Sequence, residues 1–129
     1  MAINFNRESV FNLSPINLSD VRDEVNGLLI ENEHMICAFK TVRDQLIFTD
    51  FRIIAVDVQG ITGKRKSFSS LPYSKVQFFS IQTPGFAELV PDSELYMEFA
   101  NGFTAKFEFR GGVDIGQIGR MISEFVLSV

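Results

Sequence analysis

Between residues 45 and 83 the chain reads QLIFTDFRIIAVDVQGITGKRKSFSSLPYSKVQFFSIQT, and this stretch restricts the fold more than any other. Runs rich in Ile, Val and Phe alternate with short polar clusters, which is how consecutive antiparallel strands look in sequence. Strands are expected at 46–49, 52–58, 67–72 and 76–83. Residues 35–42 add one before them, with Ile36, Ala38 and Lys40 on one side and Cys37, Phe39 and Thr41 on the other. The loop QGITGK at 59–64 has two glycines suited to positive φ. In the strands at 52–58 and 76–83 both faces are partly apolar, so something must cover the second face of each. The cover is either the N-terminal arm and helix or a neighbouring subunit.

The clearest local signal comes later. Leu95, Met97 and Phe99 alternate with Glu94, Tyr96 and Glu98; Phe103, Ala105, Phe107 and Phe109 alternate with Thr104, Lys106, Glu108 and Arg110; Asn101 and Gly102 lie between. This predicts a hairpin with one dry and one wet face, joined by a type I′ turn. After Gly111 and Gly112, Asp114 and Gln117 resemble a capping box, and Ile115, Ile118, Ile122, Phe125 and Val126 make one helical stripe, so a helix is expected over 114–127. At the other end, residues 1–17 show neither period and are expected to form an irregular arm or one short turn of helix. Ser19 as a cap, with Val21, Val25, Leu28 and Leu29 at helical spacing, predicts a helix over 20–29. The expected class is therefore mainly β (α+β): about seven antiparallel strands over 35–110 in one domain, 1–129, closed by a C-terminal helix.

A chain of 129 residues can bury a core without staples, and its single Cys37 allows no internal disulfide. Twelve basic against sixteen acidic side chains give a net charge of -4, which argues against nucleic acid and against a membrane surface as partners. No apolar run reaches the roughly 18 residues of a membrane span, and the first residues have no basic region followed by an apolar one. Neither leader nor anchor is expected, and the expected location is cytoplasmic.

With these elements in place, the segments VRDQLIFTDFRIIAVDVQGITGK and LPYSKVQFFSIQT resemble the bacterial pleckstrin-homology-like family, formerly a domain of unknown function. The resemblance runs from about Leu28 to Val126 and is strongest from Arg43 to Lys64 and at Pro72 and Tyr73. It departs at Phe51, where a basic residue is expected beside Arg52. It implies a PH-like barrel of two orthogonal, bent antiparallel sheets capped by the C-terminal helix, cyclic homo-oligomers such as five-membered rings, and a role in binding other proteins. It implies no known activity. Eukaryotic pleckstrin-homology domains carry a Trp in the last helix, where this chain offers Phe125, and the kinship with them is at the level of fold alone.

No residue set identifies a reaction, so the chain is read as non-enzymatic, without catalytic residues, cofactor or metal. His34 and Cys37 are each alone in their type, and their spacing on a strand sends them to opposite faces. His34 with Glu31 and Glu33 makes a poor metal set. The leading reading is a self-assembling interaction or scaffold module with an unspecified protein partner. Its polar patch would comprise Arg43, Asp44, Arg52, Asp57, Gln59 and Lys64, and its subunit contact Phe79 and Ile81. The alternative is a peripheral binder of anionic lipid headgroups or phosphate ligands through the loop Lys64, Arg65 and Lys66.

Overall fold

In the computed structural model, residues 10–84 and 92–128 are described. Eight strands follow one another: β1 (Val10–Ile16), β2 (Met35–Lys40), β3 (Gln45–Thr49), β4 (Arg52–Gln59), β5 (Arg65–Pro72), β6 (Val76–Gln82), β7 (Ser93–Phe99) and β8 (Thr104–Phe109). The helices are α1 (Asp23–Asn26) and α2 (Ile115–Val126). Hydrogen-bonded neighbours take the order β5-β4-β3-β2-β1-β8-β7-β6. This corrects the expected barrel in two respects. Among the described residues there are eight strands rather than seven, and their order is open, with β5 and β6 at its ends.

The extra strand is β1, which falls in the segment expected to be an irregular arm. It runs parallel to β8, pairing Val10 with Phe107 and Leu13 with Phe109, and the register shifts between those pairs. Asn12 sits in the left-handed region at φ 59. A residue turned this way resets the alternation, so the period-2 signal is lost from the sequence. Leu13 is nonetheless 1% exposed.

Two compact units emerge among the described residues, one of 15–72 and one of 10–14 with 73–128. The first contains the meander β2 to β5, each strand antiparallel to the next. Ile54 and Val56 of β4 pack with Val21, Val25, Ala38 and Ile47, flanked by Ile16, Leu29, Met35 and Phe68. That face of β4 is thus covered by the chain's own N-terminal segment. Phe39 and Phe48 meet edge to face at 5.8 Å.

The helix expected over 20–29 does not form. Its place is taken by a 3-10 turn at Leu18–Asp20 and the single turn α1, with Val21 between them in extended conformation. The reason lies in Gln45 at the start of β3. Its Oε1 accepts from the Arg22 N–H at 3.0 Å and its Nε2 donates to the Asp20 carbonyl at 3.0 Å, so the carbonyl that would open a helical ladder is taken from outside and the Arg22 N–H is held in the extended entry to α1.

The second unit holds the β6-β7-β8 meander with α2 against it. Exposure alternates along β7 and β8 as the hairpin reading requires: Leu95, Met97, Ala105, Phe107 and Phe109 are fully buried. The turn differs from type I′. Phe99 and Phe103 pair, the Gly102 N–H returns to the Phe99 carbonyl at 2.9 Å, and only Gly102 (φ 86) has positive φ. This is a three-residue connection closed by a left-handed glycine, whereas type I′ needs positive φ at Asn101 too. In α2 the Asp114 side chain caps the Gln117 N–H at 3.2 Å. Ile115, Ile118 and Ile122 are buried, and Phe125 stacks on Tyr73 with ring centroids 5.2 Å apart.

Candidate functional site

The six polar residues grouped by sequence separate into two sets. At the β3–β4 turn, Arg52 reaches inward rather than out. Its Nε and Nη2 donate to the two oxygens of Glu33 at 2.9 Å each, Nη2 also donates to the Leu28 carbonyl at 2.7 Å, and Nη1 donates to Ser70 Oγ at 2.9 Å. Thr49 Oγ1 donates to Glu33 at 2.7 Å and accepts the N–H groups of Phe51 and Arg52. The Glu33 side chain is out of solvent altogether. Burial alone would raise its carboxyl, but the hydrogen bonds from Arg52, Thr49 and the Ile30 N–H outweigh burial and hold it below the ordinary value. This is a satisfied clamp joining β4 to the loop before β2, with no donor of Arg52 Nε left for a partner. Glu33 and Thr49 escape a sequence search because a lone Glu between polar residues looks like a solvated turn.

The remaining five residues belong to the opposite end of β4 and the turns beside it. Arg43 Nη2 donates to the Gly60 carbonyl at 2.6 Å, joining the β2–β3 and β4–β5 connections. Asp44 Oδ1 accepts the Val58 N–H at 2.9 Å, and Gln59 Nε2 donates to Asp57 Oδ2 at 2.9 Å. Burial pushes the Asp44 carboxyl up, and the nearby Asp57 adds to it despite the Val58 bond. Asp57 is 5% exposed, while Lys64 stands in solvent. The basic run is likewise divided. Lys66 pairs with Glu24 at 3.2 Å, leaving Lys64 and Arg65 exposed.

Residues 4–126 match the sequence pattern of the bacterial PH domain. The chain belongs to that family. Among its relatives are two uncharacterised Bacillus subtilis proteins. YjqA is 46% identical over 84 residues, 65% of this chain and 66% of that protein, so the match spans just under two thirds of YjqA. YozO is 29% identical over 105 residues, 81% of this chain and 89% of that protein. The fold is shared with a pleckstrin-homology-domain protein from Shewanella loihica, with a TM-score of 0.77 and 30% identity over 89% of this chain and 97% of that one. A pleckstrin homology domain from Shewanella amazonensis gives 0.66 and 32% over 88% and 90%.

In this bacterial PH domain β6 differs from the sequence reading. Phe79 and Ile81 stand opposite Met97 and Leu95, on the buried side of the β7 ladder. Ile81 lies against α2, where a Cβ on Gly119 would come within 3.0 Å of its Cδ1. Of the two residues expected as a subunit contact, Ile81 thus meets the helix of its own unit while staying 37% exposed, and Phe79 is half-buried opposite Met97. A register shift between Val76 and Phe78 turns Phe78 outward instead, where it is 49% exposed and meets Tyr96 edge to face at 6.1 Å. Sequence alternation counted without that shift leaves Val76 and Phe78 on one face.

His34 and Cys37 have separate surroundings. Burial pushes the Cys37 thiol up to about 11, so at neutral pH it is a thiol and a poor nucleophile. His34 Nδ1 lies 3.3 Å from Asp50 Oδ2, and Asp50 Oδ1 accepts the His34 N–H at 2.8 Å. No helix of the described residues is long and apolar enough to cross a membrane.

Proposed function

We propose that this bacterial PH domain is a non-enzymatic interaction and scaffold module of the cytoplasm that assembles with its own copies into a closed ring. The observation that carries the reading is the outer edge of β6. This seven-residue strand contains no charged side chain, stands last in the strand order and, among the described residues, pairs on one side only, with β7. Edge strands of that length ordinarily carry a Lys, a Pro or an inward charge that stops another chain from adding to them. The other end strand, β5, is guarded in this way by Arg65, Lys66 and Pro72. Contact between unlike surfaces of successive copies, β6 of one against another face of the next, generates a ring when the rotation closes. The family resemblance favours five members.

In such a ring the end carrying Arg43, Asp44, Asp57, Gln59 and Lys64 recurs once per subunit. A protein partner that meets several copies gains avidity which a single weak site lacks. Arg52 is the clamp beneath the surface rather than part of it. The test is Phe78→Lys with Ser80→Lys, which places two cations on the outward side of β6. Sedimentation equilibrium should find a folded species of one subunit's mass. A variant that keeps the parent's mass would remove β6 from the contact.

A further inference from the structure

The second unit has an outer sheet face, opposite the buried Leu95 and Met97. Along β7 it carries Glu94, Tyr96 and Glu98. Glu108 of β8 stands directly across from Glu94, Lys106 across from Tyr96, and on the other side Phe78 of β6 across from Glu98. The centre of the face is aromatic. Phe78 is 49% exposed and meets Tyr96 edge to face at 6.1 Å, while the Tyr96 hydroxyl donates to Glu98 Oε1 at 2.8 Å and so holds its ring in place.

Acids surround that centre in an arrangement that costs the fold stability. Like charges directly opposite on neighbouring strands repel, as Glu94 and Glu108 do. Burial pushes the Glu108 carboxyl up, Lys106 opposes this, and Glu94 and Asp92 push it further. Lys106 itself pairs with Glu94 at 3.3 Å. One carboxylate oxygen each of Asp92 and Glu108 is buried without a hydrogen-bond partner. With Asp92, Glu94, Glu98, Glu108 and Lys106 set aside, the chain retains eleven basic against twelve acidic side chains, so this one face holds most of the net charge of -4. Among the described residues no three His, Cys, Asp or Glu side chains are placed to hold a metal ion. The charge complement is therefore an organic cation, and the aromatic centre selects which.

We propose that this face binds an arginine-rich extended segment of a protein partner, with one guanidinium laid on Tyr96 and others forked onto the carboxylates at either end of β7. A guanidinium is flat and weakly hydrated, stacks on aromatic rings and matches a carboxylate with two parallel hydrogen bonds, whereas a lysine ammonium is a strongly hydrated point charge. The spacing agrees. Glu94 and Glu98 are four residues apart on one strand, about 13 Å, and an extended segment presents every second side chain to one face, so alternate arginines reach from one carboxylate across Tyr96 to the other. This surface is separate from the one around Arg43, and the proposal does not depend on a ring.

The test is fluorescence anisotropy of a labelled peptide with arginine at every second position, titrated with the full chain and compared with its lysine counterpart. The arginine peptide should bind, more weakly as salt rises, and at least about threefold tighter than the lysine peptide. Glu94→Gln with Glu108→Gln should weaken it at least about tenfold. Tyr96→Leu leaves the charge unchanged and should weaken it about fivefold. Glu108→Gln alone removes a like-charge contact, so its urea midpoint should be no lower than the parent's, which separates lost binding from lost fold. Four results would each overturn the proposal: no binding of the arginine peptide, equal affinity for both peptides, binding unmoved by loss of Glu94 and Glu108 or of Tyr96, or a changed subunit mass in the Glu94/Glu108 variant, which would make the face a contact between copies.

Discussion

Glu33 combines complete burial of its side chain with a carboxyl held below the ordinary value of 4.5. Such a group stabilises the fold while it is ionised, and its contribution is present above the unfolded-state value and lost as pH falls through the folded one. Replacement by Gln removes the charge but leaves Arg52 half enclosed. Breaking one partner of a buried pair costs about 3 kcal/mol or more. Glu33→Gln should therefore lower the urea midpoint at neutral pH, and the gap from the parent should narrow as pH falls below 4.5. Comparing parent with variant isolates Glu33 from the other carboxylates, including Asp44, whose raised carboxyl acts in the opposite direction. A gap equal at neutral and acid pH would mean that the clamp works through shape rather than charge.

The elements divide by whether their cause is local. The closing hairpin declares itself in the sequence because its buried and exposed residues alternate without a bulge from Leu95 to Phe99 and from Thr104 to Phe109. Phe107→Ala should accordingly cost about 3 to 5 kcal/mol, whereas Lys106→Ala, whose ion pair with Glu94 is partly solvated, should cost less than about 1 kcal/mol. Similar urea midpoints for the two would invert the faces. By contrast, the helix expected over 20–29 is undone by one residue 23 positions away, a partner that no window of the sequence contains. Gln45→Ala should cost about 1 to 2 kcal/mol, and hydrogen exchange should show loss of protection at the Arg22 amide. The same distinction explains the candidate site. Arg43, Asp44, Asp57 and Gln59 lie at one end of β4 because they flank two neighbouring turns, with Lys64 in solvent beside them, while Arg52 is claimed by Glu33 through a loop whose path the sequence does not disclose. A third cause acts in β6, where a one-residue register shift sets Phe78 rather than Phe79 on the face away from Met97 and Leu95.

At the scale of the whole molecule, the unguarded edge of β6 is the feature from which self-assembly is inferred. Burying that edge would supply backbone hydrogen bonds and cover Phe78 without disturbing the α2 side of the strand, where Ile81 meets Gly119. A heterologous contact of this kind either closes or extends into a filament, so the mass must be single-valued and stable on dilution if a ring is correct. The direct test is static light scattering on the unaltered chain across micromolar concentrations. A discrete mass several times 14.6 kDa, constant on dilution, is expected. A mass of 14.6 kDa throughout that range would contradict self-assembly outright.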